Sequence, residues 1–310
     1  MKSKINLLAV NCSVVVLLYS AYSAIGHPQS QQGKQMPHVA GSARAGAVIA
    51  EPAETVPPID GVTVVRDGEY TISNARPLEQ AAKLLERKLG VPIWYEDPPW
   101  TFSGDLVEAA DLPANRELAA RYPRWRGPLV PRGGSMLVTL PTSPAVLKTE
   151  DPVTLLQAAI DSHKSLNNSA DFKVVQFGDN EFSIVGTHAA GKDGRVVEQI
   201  PPLDRRVSFP EAERTEADTL NLICRTINVE LMVQFTGGSE KSRRMRIGAN
   251  NEVARDLLAR IVKVPGAPKV SWVLSYMPDL QRYLLGLRSV EAEIPVPGGG
   301  TQLKPVLWPK

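Results

Sequence analysis

A helix that ends on a left-handed residue and runs into an alternating strand occurs twice in this chain, 138 positions apart. In the first occurrence Tyr70 and Ile72 alternate in a short strand and Pro77 opens a helix. Leu78, Ala81, Ala82, Leu85 and Leu89 then recur at spacings of three and four, the period of one helix face. Proline suits the first helical turn, where its missing N–H would have no partner anyway. Gly90 stands where a helix stops in the left-handed conformation, and Val91, Ile93 and Tyr95 alternate after it. In the second occurrence Val207 and Phe209 alternate, and Thr215 with Asp218 forms a capping-box-like pair. Leu220, Ile223 and Ile227 align with Ala82, Leu85 and Leu89; Asn228 takes the place of Gly90, and Val229, Leu231 and Val233 follow.

The order continues in both places. Met136, Val138 and Leu140 predict a strand, Asp151 and Pro152 a capped helix start, and Leu155, Leu156, Ala159 and Ile160 its apolar face. Met245 and Ile247, then Val253, Leu257, Leu258, Ile261 and Val262, answer them. Each pattern closes in a hairpin, one turning at Gly178-Asp179-Asn180 and the other at Pro278-Asp279. The fold class expected is therefore α+β: two tandem two-layer βαββαβ-type modules, each with its helices on one face of a small mixed or antiparallel sheet. Module 1 covers 62–189 with an insertion at 98–134, a linker covers 190–205, and module 2 covers 206–290. Residues 291–310, with Gly298-Gly299-Gly300, read as a flexible tail.

A length of 310 residues suits two domains, and a hydrophobic fraction of 43% is enough for real cores. Aromatics are 6% of the chain, so those cores are expected to be aliphatic. The formal net charge of +2 is too small to argue for nucleic acid or an anionic membrane surface as partner. Lys2 and Lys4, an apolar run over Leu7–Leu18 and the small residues around Ala24-Ile25-Gly26 have the anatomy of a signal peptide over 1–26. The alternative is an uncleaved anchor in the inner membrane through residues 5–24. Residues 27–61 read as a disordered linker. The chain is expected in the periplasm or secreted. Of the two cysteines, Cys12 lies in the N-terminal segment and Cys224 among apolar residues, where it reads as a small buried hydrophobe.

The stretch Arg76-Pro-Leu-Glu-Gln-Ala-Ala-Lys-Leu-Leu-Glu-Arg-Lys-Leu-Gly-Val-Pro-Ile-Trp-Tyr-Glu resembles the helix–Gly–strand segment of the short N-terminal domain of secretins and TonB-dependent receptors. The first copy also resembles uncharacterised exported bacterial proteins with a Tyr-Glu-Asp-Pro segment, here Tyr95–Pro98. The resemblance implies a periplasmic module that docks against neighbouring proteins and carries no catalytic residues.

The residues that carry chemistry are few. His27, His38, His163 and His188 have no metal-ligand spacing, so neither metal nor cofactor is expected; His163 and His188 read as solvent-facing. Glu96 and Asp97 are adjacent, and neighbours on an extended chain point to opposite sides. A hydrolase using either is one alternative function. The proline-rich insertion concentrates Trp100, Phe102, Tyr122, Arg124, Trp125 and Arg126, residue types enriched at binding hot spots; its rings could equally cover the open face of the sheet. Arg244 and Arg246 share one strand face as a weaker candidate. The function expected is a non-enzymatic envelope adaptor that contacts other envelope proteins. A binder of a small molecule or glycan through the Trp100 and Trp125 loops is the other alternative.

Overall fold

The computed structural model describes residues 56–310, apart from 167, 179, 233–242 and 297–299. The expected signal peptide or anchor and most of the linker after it, with Cys12, His27 and His38, lie outside the described residues, as do Val233, Gly298 and Gly299. In chain order the elements are β1 (Val62–Arg66), β2 (Glu69–Asn74), α1 (Pro77–Leu89), β3 (Ile93–Glu96), β4 (Leu106–Glu108), α2 (Arg116–Arg121), β5 (Leu129–Pro131), β6 (Gly134–Thr139), α3 (Pro144–Thr149), α4 (Pro152–His163), β7 (Asp171–Gly178) and β8 (Glu181–Ala190). They continue with β9 (Val196–Glu198), β10 (Arg206–Thr215), α5 (Glu216–Thr226), β11 (Val229–Met232), β12 (Arg244–Val253), α6 (Ala254–Val262), β13 (Val270–Met277), β14 (Arg282–Ser289), β15 (Glu291–Pro295) and β16 (Thr301–Pro305). The fold is mixed α+β.

Local chemistry sets the helix ends where the sequence marks them. Pro77 is the first residue of α1, and Gly90 after it is left-handed, with φ of 67°. Asn228 adopts the same conformation after α5, with φ of 59°, because Asn tolerates it better than other side-chain-bearing residues. Asp151 accepts the N–H of Val153 at the start of α4. Thr215 caps α5, accepting the N–H of Asp218 and donating its hydroxyl to the Asp218 carboxylate.

A mixed sheet in the order β11-β14-β13-β3-β8-β7 organises the molecule. β3 runs parallel to β8, which is antiparallel to β7. β11 runs parallel to β14, which is antiparallel to β13. The two sets of three strands join where β13 runs parallel to β3, with Val273 opposite Tyr95 and Leu274 opposite Glu96. β9 also joins this sheet by pairing with β8, and the remaining strands form smaller sheets: β1-β2-β6, β10-β12, β4-β5 and β15-β16.

This differs from helices on one face of one sheet per module. All four residues of β3 are buried. Tyr95 and Ile93 point into a core built with α1, α4 and the β1-β2-β6 sheet, and Trp94 points into a second core built with α5, α6 and the β10-β12 sheet. Successive strand residues face opposite ways, so the two cores lie on opposite faces of the central sheet. A strand apolar on both faces has to be covered on both. β2 pairs β6 and β10 pairs β12 in sheets separate from the central one. The cores are not purely aliphatic either. Trp94, Trp272 and Tyr95 are the largest fully buried side chains, and Trp94 stacks on both Trp272 and Phe177.

The expected tail and linker are built into the fold. β15 packs along α1, where the Lys88 ammonium meets Glu293 at 2.7 Å. Lys269 N–H donates to the Val306 carbonyl at 2.6 Å, and Lys263 and Lys269 both stand over the Trp308 ring. In the linker, β9 pairs with β8, and Leu203 is fully buried. Removal of residues 291–310 uncovers a side of α1 and the chain beside β13, and is expected to lower the thermal midpoint by at least about 5 °C. Thermal unfolding followed by circular dichroism tests this; an unchanged midpoint would show that the hairpin contributes no stability.

Candidate functional site

The segment Tyr95-Glu96-Asp97-Pro98 lies at the joint between β3 and β13, and its polar groups are turned to both sides. Glu96 has no solvent exposure. Its carboxylate accepts the Arg255 guanidinium in two-pronged fashion, at 2.9 Å from Nε and 2.8 Å from Nη2, and the Ser183 hydroxyl at 3.0 Å. Arg255 also donates through Nη1 to Asp204. Burial works against the Arg255 charge, but Glu96 and then Asp204 outweigh it and hold the guanidinium more firmly protonated than a free arginine. Arg255 comes from the first turn of α6, Glu96 from β3 and Ser183 from β8, so the cluster ties α6 to the central sheet.

Asp97 takes a separate set of donors: Arg76 Nε at 2.6 Å, the Tyr95 hydroxyl at 2.8 Å and the Tyr276 N–H at 2.9 Å. Its own N–H donates to the Leu274 carbonyl at 2.8 Å, and Arg76 Nη2 to the Tyr276 carbonyl at 2.8 Å. Burial and then the Asp97 charge push the Tyr95 hydroxyl well above its ordinary value. A third link runs from Glu86 of α1, which accepts the Ile93 N–H at 3.0 Å and Arg288 Nε at 3.2 Å. Adjacent in sequence, Glu96 and Asp97 face different partners, and each is bound by several donors of the protein itself. Gly186 makes room here, because a Cβ on it would lie 2.5 Å from the Pro98 nitrogen.

The aromatic–arginine candidates do not form one surface. Trp100 is buried at 4% exposure in the core with α1 and α4, so a shared exposed face with Trp125 is not formed. Phe102 is half-buried, close beside Gly104 and Gly194. Tyr122, Arg124 and Arg126 are exposed and Trp125 is half-buried, in the loop from α2 to β5. Arg126 lies 3.6 Å from Glu108. The weaker candidates Arg244 and Arg246 face Glu213 at 3.6 Å and Glu211 at 2.6 Å across the β10-β12 pair, as cross-strand ion pairs on an exposed strand.

His163 is buried, contrary to the solvent-facing expectation; His188 is half-buried. The His163 ring meets Phe172 edge-on, and burial pushes its pKa down to about 4 against the weaker pull of Asp171 and Asp97. Cys224 is buried and its thiol is pushed up to about 12, as for a small hydrophobe. Among the described residues, no group of three His, Cys, Asp or Glu side chains is placed to hold a metal ion. A cleft of about 320 Å³ between β12 and α6 is lined by Arg243, Arg246 and Arg260 over Met245 and Ile247. All three cations already have partners: the Ile261 carbonyl, Glu211 and Glu252 respectively. A second cleft, of about 470 Å³, runs beside β11 and is lined by Asn221, Cys224, Arg225, Asn228, Glu230 and Leu231.

No protein-family model matches the chain, and comparison with curated proteins and with solved structures gave no match.

Arg255→Ala leaves Glu96 buried without its counter-charge and is expected to cost about 3–5 kcal/mol in urea unfolding. The double change Glu96→Gln with Arg255→Met should cost distinctly less than the sum of the two single changes. Strict additivity would show that the pair is not coupled. For His163, a folded pKa below the unfolded value of 6.5 means that its stabilising effect is complete above about pH 6.5 and is lost as pH falls towards 4. His163→Phe should flatten the thermal midpoint between pH 7 and pH 4; an equally steep profile in the variant would assign the acid sensitivity to other groups.

Proposed function

We propose that the chain is an exported, non-enzymatic envelope adaptor of two tandem modules akin to the secretin and TonB-receptor short domain, and that it acts by accepting a strand of a partner protein at β11. Its location in this reading is the periplasm or the outside of the cell, after cleavage at 1–26 or with residues 5–24 as an inner-membrane anchor. The tandem reading draws support from matching connections: β3, β8 and β7 on one side and β11, β14 and β13 on the other have the same order and relative directions. β2 with β6 and β10 with β12 repeat the outer pair.

The observation that carries the adaptor reading is the end of the central sheet. Among the described residues β11 pairs only with β14, so one row of its backbone N–H and C=O groups faces outward, a template for an added strand. Val229 is buried and Leu231 and Met232 are half-buried, and the cleft beside them gives room for side chains of the incoming strand. The opposite end is less receptive. β7 exposes Asp171, Lys173 and Gln176 and has register irregularities near both ends, features that blunt an edge. The hydrolase alternative loses its candidates, because Glu96 and Asp97 are engaged in the joint, and the ligand-binding alternative loses Trp100 to the core.

The test is site-specific photo-crosslinking from β11 in an envelope fraction, followed by reconstitution with the identified partner. Met232→Lys places a charge on the edge and is expected to weaken the reconstituted complex by about tenfold or more with an unchanged thermal midpoint. Unweakened binding by a folded Met232→Lys variant would overturn the β11 assignment.

A further inference from the structure

Among the described residues, most arginines are engaged, with Arg225 an exception outside the insertion. Buried and exposed ones alike hold a carboxylate or a backbone carbonyl, as at Arg87, Arg132, Arg205, Arg206, Arg214 and Arg282. The run from Arg116 to Arg124 departs from this. The side chains of Arg116, Arg121 and Arg124 belong to exposed residues and have no hydrogen-bond or ion-pair partner among the described residues. With Arg126 they place four arginines against one carboxylate, Glu117, within Arg116–Arg126. Arg126 pairs with Glu108 at 3.6 Å with both side chains well exposed, so solvent screens the pair. A whole-chain net charge of +2 hides this local excess.

Tyr122 is 53% exposed, and Trp125 is half-buried against Gly127, where a Cβ would lie 2.9 Å from its ring. An indole held on its scaffold and a phenol reaching into solvent, flanked by arginines, match what a bilayer–water boundary accepts. Trp and Tyr place an apolar body and a polar tip across it, and Arg extends to the headgroups. The lobe is firmly held: Leu129 N–H donates to Asp279 at 2.8 Å, Arg132 N–H to the Asp105 carbonyl at 2.7 Å, and Asp105 accepts from Ser169. None of its residues lines the clefts at β12 and β11. An exposed cationic and aromatic lobe suits a flat anionic surface better than a small enclosed ligand.

We infer that the α2–β5 lobe, through Arg116, Arg121, Tyr122, Arg124 and Trp125, is a docking surface for an anionic lipid membrane. It orients the chain on the bilayer independently of strand addition at β11. The test uses the full chain with vesicles of phosphatidylcholine alone and with 30% or so phosphatidylglycerol, so that any insertion of the N-terminal segment contributes to both lipids. The expected result is retention on the anionic vesicles at least about tenfold above the neutral ones, lost in 0.5 M or so salt. Arg121→Glu with Arg124→Glu should abolish that difference, and Trp125→Ala should reduce it, with circular dichroism spectra unchanged. Two further outcomes would overturn the inference. One is equal retention of the wild type on both lipids, or of the wild type and the double variant on anionic vesicles. The other is salt-sensitive binding of polyglutamate without binding to phosphatidylglycerol, which would reassign the lobe to an acidic protein. If the double variant has an altered spectrum, Arg116→Gln with Arg124→Gln replaces it, with the same two readings.

Discussion

A carboxylate with no exposure at the centre of a sheet, Glu96, imposes a condition on the rest of the chain. A buried carboxylate is tolerated only when it is paired and its remaining acceptor positions are filled. Arg255 meets that condition from α6 and Ser183 from β8, so α6 has to reach the joint where β13 meets β3. Asp97 repeats the demand one residue later on the other side, answered by Arg76 and the backbone of Tyr276. Two hydrogen-bonded strands with few ladder bonds between them are thereby fixed in register and in the order of the sheet.

The apolar groups around this joint follow the same logic. Trp94 and Tyr95 are neighbours in β3, yet each belongs to a different core. Trp94 stacks on Trp272 of β13, and Tyr276 of β13 and Tyr283 of β14 pack against the first core. The two cores therefore draw on the same strands. The ion pairs supply direction where apolar packing, which is non-directional, does not.

Much of the secondary structure was legible before any coordinates. The α1 helix from Pro77 to Leu89, its left-handed end at Gly90, the caps at Asp151 and Thr215 and the two terminal hairpins are local: the residues that set them lie within a few positions of one another. The candidate residues were legible only as types. Trp100 and Trp125 look alike in a proline-rich stretch, but one is buried and the other partly exposed. His163 depends on how the strand after its helix folds back to set Phe172 against the ring, and the tail around Trp308 depends on Lys263 and Lys269 from an earlier segment; neither packing is written in the local pattern.

The sequence by itself determined which segments become helices and strands, where several helices stop, and that Glu96 and Asp97 point to opposite sides. These follow from backbone sterics, side-chain period and hydrogen bonds made within a turn. Tertiary structure alone decided that β3 is buried on both faces, that Glu96 belongs to Arg255 and that Arg116, Arg121 and Arg124 of the insertion have no ion-pair partner among the described residues. Glu96 and Arg255, for one, are separated by 159 positions. A sequence shows how many charges and rings there are; the packing of the chain determines which of them meet.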